Sequence, residues 1–151
     1  GGDSLIPLLD EVVNRGGARQ IGWLDEEVHG ANVSGTVTST KFADARPETV
    51  KRFLAAFRQG AQAWDAAFLD AAGNRADQPN ANEMIALVAK GLGQPEEVVR
   101  RGLNYVDPEA RITLADLQRM LDWYEARGLQ KFHVDASTLV DTRYAKLTNR
   151  P

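Results

Sequence analysis

Residues 47–72 read PETVKRFLAAFRQGAQAWDAAFLDAA. Apolar side chains recur in this stretch at the three- and four-residue spacing that places them on one face of an α-helix. They are Val50, Phe53, Leu54, Phe57, Ala61, Trp64, Ala67, Phe68 and Ala71. Pro47 suits the first helical position, Glu48 suits the positive end of the helix dipole, and Gly73 provides a stop. The stretch therefore predicts a long amphipathic helix that buries Trp64 and Phe68.

Further helices are predicted downstream, each from a start or stop signal. Asn80 precedes a helical apolar pattern that ends at Gly93, and Pro95 begins a short helix. Thr113 starts a capping-box-like sequence and a helix that ends near Gly128.

The end of the chain gives weaker signals. An extended stretch over residues 105–112 contains a turn at Asp107. Asp135 begins a short helical stretch, and Asp141 starts a last turn that continues to Leu147.

The first 46 residues predict a mixture of helix and strand. A helix begins at Asp3 and ends at Gly16, and residues 19–24 form a short strand. Residues 32–42 are rich in Thr and Val, which favour extended backbone. The two-residue period of a strand would align four hydroxyls on one face. They are Ser34, Thr36, Thr38 and Thr40.

Composition excludes several classes of protein. The chain has 151 residues, a net charge of −3 and no cysteine, so disulfides, thiolate chemistry and cysteine-based zinc sites are excluded. No apolar run is long enough to span a membrane. A nucleic-acid interface is not expected, because the helix after Thr113 carries Asp116, Asp122 and Glu125, which would repel phosphates.

Sequence motifs for catalysis and metal binding are not found. The two histidines, His29 and His133, are far apart in the sequence and neither belongs to a zinc motif. Ser34 lacks the flanking glycines of a nucleophile elbow, and Gly91 and Gly93 are typical of a helix end. We therefore expect a protein that is not an enzyme, with no catalytic residue, metal or cofactor.

Two features of the first third leave a binding role open. Trp23 precedes an acidic loop at residues 25–27, where it would either form one wall of a ligand site or pack in the core. The acidic loop would bind a cationic group or remain a solvated turn. The row of hydroxyls would either bind a polar ligand or face solvent on an edge strand.

The order of these motifs resembles a known family. A Ser- and Thr-rich segment precedes Arg46-Pro47-Glu48 and the long helix, and a helix ending at Gly91-Leu92-Gly93 precedes Pro95-Glu96-Glu97-Val98-Val99. The cap Ile112-Thr113-Leu114-Ala115-Asp116-Leu117 follows, then Val134-Asp135 and the tail Leu139-Val140-Asp141-Thr142-Arg143-Tyr144. This series resembles the C-terminal half of ABC-importer substrate-binding proteins, in the group similar to sulfonate, nitrate and thiamine-precursor binders.

The resemblance implies part of a two-lobed α/β fold, the type II periplasmic-binding-protein fold, mostly helical with a few strands in the first third. Residues 1–33 would end the second lobe, residues 34–46 would form a crossover strand and linker, and residues 47–151 would pack as helices on the first lobe. The family's N-terminal half is absent from this sequence. We therefore expect exposed apolar faces that pair with that half or with a second copy.

The resemblance also implies a periplasmic or extracytoplasmic location, a small polar or anionic solute, and delivery to the subunits of an ABC permease. Cleft residues in such folds come from strand ends and the crossover. On that basis the candidate ligand-binding residues are Trp23, Asp25, His29, Asn32, Ser34 and Thr36. Hydroxyls would bind an anion, whereas Asp25 would suit an amine.

Two other functions remain open at this point. One is a helical interaction module that dimerises through the stripe of residues 47–72 and binds no small molecule. The other is an enzyme built on the same two-lobed fold, such as a pyrimidine-precursor synthase. The enzyme is the less favoured, because the chain offers two isolated histidines and no cysteine.

Overall fold

The structure, a computed structural model, describes residues 12–22 and 35–148. About half of these residues are helical and few lie in strands, so the described part is a mixed α/β structure. The helices are α1 (Thr40–Ala45), α2 (Pro47–Phe68), α3 (Ala81–Leu92), α4 (Glu96–Arg101) and α5 (Leu114–Ala126). The strands are β1 (Arg111–Thr113) and β2 (Lys146–Thr148), and a 3-10 helix spans Ala136–Thr138.

The helices predicted after residue 46 are confirmed, with small differences at their ends. Helix α2 begins at Pro47 but ends at Phe68, before the predicted end near Ala72. The Asp70 carboxylate explains the early end, because it accepts hydrogen bonds from the backbone N–H groups of Ala72 (2.9 Å) and Asn74 (2.8 Å). These bonds stabilise a tight turn instead of another turn of helix.

Two predicted glycine stops are also confirmed. Gly93 ends α3 in the left-handed region, with φ of 64°, where a residue without a side chain is least strained. Residues 12–14 are helical, and the N–H of Gly16 donates to the carbonyl of Val13 at 2.9 Å. The part of the predicted first helix before residue 12 lies outside the described residues.

The strand predicted over residues 32–42 is wrong where the structure describes it. Residues 35–39 have no regular secondary structure, and α1 begins at Thr40. The Ser39 hydroxyl accepts a hydrogen bond from the backbone N–H of Phe42 at 3.2 Å. Serine is favoured both at turns and at helix N-caps, and here the local cap prevails over extended backbone.

The strand predicted at residues 19–24 is likewise not formed at residues 18–22, which have no regular structure; the rest of it lies outside the described residues. Strands occur instead in the last third of the chain. Lys146 pairs with Arg111 and Leu147 with Ile112 in a parallel arrangement of β1 and β2. The prediction of strands in the first third is therefore wrong for the residues described there.

The segment before β2 follows the prediction up to Tyr144. The Asp141 carboxylate accepts the backbone N–H of Arg143 at 3.0 Å, and the Asp141 carbonyl accepts that of Tyr144 at 3.0 Å. The chain then extends into β2 instead of continuing as a helix to Leu147. Asp135 caps the 3-10 helix as predicted, accepting the N–H of Ser137 at 2.8 Å.

The chain divides into two compact units. Unit 1 contains the chain up to residue 27 together with Gln62–Val106, and unit 2 contains Val28–Ala61 together with Asp107–Pro151. The boundaries predicted after residues 33 and 46 concern lobes of a larger fold, and they stay predictions. No helix in the described ranges is both long enough and apolar enough to cross a membrane.

Unit 1 has an apolar core. Phe68 and Ile85 are its largest fully buried side chains, which confirms the prediction for Phe68. The remaining core residues are Ala67, Ala81, Ala89 and Val99, with Trp64, Met84, Val88 and Leu103 packed against them. The Trp64 ring meets Phe68 edge to face at a centroid distance of 4.6 Å, and its indole N–H donates to the Asn104 carbonyl at 2.9 Å.

Unit 2 depends more on polar contacts. Its buried apolar residues in the described ranges are alanines, Ala43, Ala61 and Ala136. The Arg58 guanidinium, from α2, donates to the carbonyls of Glu109 (3.1 Å) and Tyr144 (3.2 Å). Arg58 thereby connects α2 to the segments that precede β1 and β2.

Candidate functional site

Most of the predicted ligand-binding residues lie outside the described part of the chain. These are Trp23, Asp25, His29, Asn32 and Ser34. Thr36 is described, and it is exposed in the irregular segment before α1. The predicted face of hydroxyls depended on a strand, and no strand is formed at residues 35–39. The solute site therefore stays a prediction.

Within the described residues, chemically useful side chains gather around the end of α5. Helix α5 ends at Ala126, and the chain reverses through Gly128, which has φ of 69°. The N–H groups of Leu129 and Gln130 then donate to the Tyr124 carbonyl at 3.0 and 3.2 Å. This turn carries residues 129–135 back beside the helix.

A shallow depression of about 530 Å³ lies at this turn. It is lined by Tyr124, Leu129, Gln130, Lys131 and Phe132. Its walls are mainly apolar, and Leu129 and Phe132 are largely exposed. Such a surface suits contact with an apolar group more than capture of a small polar solute.

The turn also brings a histidine to two carboxylates. Asp122 and Glu125 lie three residues apart on α5, so their side chains are neighbours on the helix surface. His133, from the returning segment, places Nδ1 2.9 Å from Oε2 of Glu125. One potential ligand atom from each of the three side chains lies within 4.8 Å of the others, and all three residues are exposed.

The electrostatics of this cluster favour a positive charge. The hydrogen bond to Glu125, followed by the attraction of its charge, raises the pKa of the His133 imidazole above its ordinary value. The nearby carboxylates of Asp122 and Asp135 add to the same effect. The carboxylates therefore stabilise the protonated, positively charged form of the His133 imidazole.

The Gln118 side chain connects the Asp122 carboxylate on α5 to the backbone of the returning segment that carries His133. Its side-chain N–H donates to the Asp122 carboxylate at 2.7 Å and to the Val134 carbonyl at 3.1 Å. Its side-chain oxygen accepts the backbone N–H of Ala136 at 2.8 Å. One side chain on α5 thus fixes both a carboxylate and the backbone next to His133.

Aromatic residues flank the cluster. Trp123 is half exposed, and the Arg127 guanidinium lies 5.2 Å from its ring centroid. Trp123 also meets Tyr124 edge to face at 5.4 Å. These contacts restrict the side chains at the end of α5.

Sequence reasoning missed this grouping for a definite reason. It searched for histidine and carboxylate at the fixed spacings of zinc motifs, and His133 is eight residues from Glu125. The available signal was the glycine at 128, just after a helix that carries both acids. A chain reversal there returns His133 to the helix end.

Comparisons of the chain with models of protein families, with curated proteins and with solved structures find no match.

Proposed function

We propose that this chain belongs to the solute-binding component of an ABC importer, which captures a small polar solute between two lobes and delivers it to a permease. The order of motifs from the Thr-rich segment to Asp141 and Tyr144 supports the proposal. Such a component acts outside the cytoplasm and carries out no catalysis. The solute would meet Trp23, Asp25 and the neighbouring polar residues.

The observation that carries the proposal is the exposed face of α2. Phe53 is 55% exposed and Phe57 is 40% exposed, although both belong to the same helical stripe as the buried Phe68. An amphipathic helix of this kind normally buries its apolar stripe. A helix that covers part of a larger lobe would present such a face to the rest of that lobe.

The resemblance implies where the solute would bind. Residues 23–36 combine a tryptophan, carboxylates, a histidine, an amide and hydroxyls within one short segment. A cleft that binds a polar solute uses a few such groups to fix its orientation. An anionic solute would use Ser34 and Thr36, whereas a solute with an amine would use Asp25.

A thermal denaturation screen tests this function. The full-length protein is heated alone and then with each of four solutes at millimolar concentration. They are taurine, a second alkanesulfonate, nitrate and an aminopyrimidine. A ligand at one hundred times its Kd stabilises the folded state by about 2.7 kcal/mol, which raises Tm by several degrees. We expect Trp23→Ala to abolish the response and the exposed Glu97→Gln to preserve it. A screen without any shift would contradict the proposal.

The exposed face of α2 also favours a second candidate, a helical module that dimerises through the same stripe. This module would assemble with increasing concentration in sedimentation velocity and would not respond to any solute. Phe57→Ser would shift this module towards the monomer without unfolding it. In a solute-binding protein whose larger lobe covers the same face, Phe57→Ser would instead lower the free energy of unfolding. The two readouts together distinguish the candidates.

A further inference from the structure

We propose that Asp122, Glu125 and His133 form a binding site for a single Zn²⁺ ion on the surface of unit 2. The proposal depends on the grouping around the end of α5 and is independent of the proposed transport function. The three residues come from the helix and from the returning segment after Gly128, so the ion would join these two parts of the chain.

The distances suit one ion after a small closure. Zinc binds imidazole nitrogen and carboxylate oxygen at about 2.0–2.2 Å, so two ligand atoms at corners of a zinc tetrahedron are about 3.3–3.6 Å apart. The potential ligand atoms of Asp122, Glu125 and His133 lie within 4.8 Å of one another. All three side chains are exposed, so small rotations bring them to the required separation without displacing core residues.

The types of ligand select the metal. Imidazole suits zinc and neighbouring transition metals, whereas magnesium prefers oxygen ligands and retains most of its water. A set of one imidazole and two carboxylates also leaves a fourth position of a zinc tetrahedron for water. We therefore expect Zn²⁺ to bind and Mg²⁺ to compete poorly.

The backbone around the site is already positioned. Gln118 binds the Asp122 carboxylate and also the backbone at Val134 and Ala136, on the far side of His133. The helix places Asp122 and Glu125 on adjacent turns. The Asp122 carboxylate and the backbone on both sides of His133 are thus already ordered before an ion binds, which lowers part of the entropic cost of binding.

Isothermal titration calorimetry of the full-length protein with ZnCl₂ tests the site. We expect one equivalent of Zn²⁺ to bind, with no heat from MgCl₂ at the same concentration. His133→Gln and Glu125→Gln should each weaken binding about tenfold or more, since even the loss of a residue that only orients a ligand has effects of this size. Glu97→Gln, at an exposed position on another helix, is the matched control and should leave the affinity unchanged.

Either of two other results would overturn the proposal. Absence of zinc heat in the wild-type protein would show that the cluster does not bind the ion. Unchanged zinc affinity in both His133→Gln and Glu125→Gln would place the zinc elsewhere in the chain. Circular dichroism checks that His133→Gln and Glu125→Gln remain folded. We expect the wild-type spectrum for both variants, because both side chains are exposed.

Discussion

The contacts that stabilise the interior of unit 1 differ from those that stabilise the interior of unit 2. Unit 1 closes on large apolar side chains, with Phe68 and Ile85 fully buried and Trp64 packed edge to face on Phe68. Unit 2 buries only alanines as apolar residues in the described ranges, and it relies on hydrogen bonds from long side chains to backbone carbonyls. Arg58 is the main example.

Because the two units rely on different contacts, different substitutions should destabilise them. Burial of a large apolar side chain contributes through area and packing, so truncation leaves a cavity. A guanidinium on backbone carbonyls contributes through geometry, so its loss leaves two acceptors without their partner. Helix α2 contributes to both units, which allows each kind of contact to be tested on one helix.

The largest expected effect is the loss of Phe68. Phe68→Ala should lower the free energy of unfolding by about 3–5 kcal/mol, because the side chain is completely buried and leaves a cavity. Phe53→Ala is the matched comparison, since it is the same change on the same helix at a side chain that is 55% exposed. It should cost little if that face stays in solvent, and about as much as Phe68→Ala if the proposed larger lobe covers it. Urea unfolding of the full-length protein measures both.

The same two variants also test whether another part of the protein covers the exposed face of α2. A small loss for Phe53→Ala would show that the side chain stays exposed and would contradict the proposed larger lobe. Equal losses in the two variants would show that Phe53 is covered in the whole protein, as the proposed larger lobe requires. The comparison between the two phenylalanines therefore has a direct consequence for function.

The effect expected next in size is the loss of Arg58. Arg58→Gln should cost about 1–3 kcal/mol, because two backbone carbonyls lose a charged donor. The loss should appear as faster amide hydrogen exchange in β1 and β2. Arg58 donates to the carbonyls of the segments that precede these two strands. Arg52→Gln, at an exposed position on the same helix, should change exchange little. Unchanged exchange in Arg58→Gln would contradict this role.

The sequence predicted those elements that local signals determine. Helix α2 follows from its apolar period and from Pro47, and α3 follows from its period and from Gly93. These signals act within a few residues, and the structure changes only the ends of the helices. The early end of α2 required the side chain of Asp70, whose hydrogen bonds the apolar period does not reveal.

The elements that were predicted wrongly depend on competition or on distant partners. Ser39 is compatible with both strand and cap, and the helix of α1 decides in favour of the cap. Strand β2 pairs with β1, and Lys146 lies opposite Arg111. These two partners are 35 residues apart in the sequence. No local pattern indicates that partner, so the region was predicted as a helical turn.

The grouping of His133 with two acids was missed for the same reason, because it needs the reversal after Gly128 as well as the helix. The predicted solute-binding residues, by contrast, lie mostly outside the described ranges, and they stay predictions. Local chemistry was thus easier to recognise in the sequence than the contacts between segments.

The smallest expected effect concerns Asp107, at the turn before β1. Its carboxylate accepts the N–H groups of Glu109 (2.9 Å) and Arg111 (3.1 Å) and pairs with the Arg111 guanidinium at 2.8 Å. Burial alone would raise the pKa of Asp107, but the hydrogen bonds from the Arg111 side chain and then from these N–H groups outweigh it, so the pKa is lower than usual. The same turn holds Ala110 at φ of 52°, a strained conformation for a residue with a side chain.

A lowered pKa in the folded state gives stability that is present above the unfolded pKa of about 3.9 and is lost as the pH falls through the folded value. Asp107→Asn should therefore destabilise the protein at pH 7 by about 1 kcal/mol, since a partly exposed pair is screened by solvent. The difference from wild type should shrink at pH 3. Urea unfolding at both pH values measures this, with Glu97→Gln as the control carboxylate. A difference that stays constant would show that Asp107 acts through the shape of the turn and not through its charge, and the polar contacts of unit 2 would then resemble the packing contacts of unit 1.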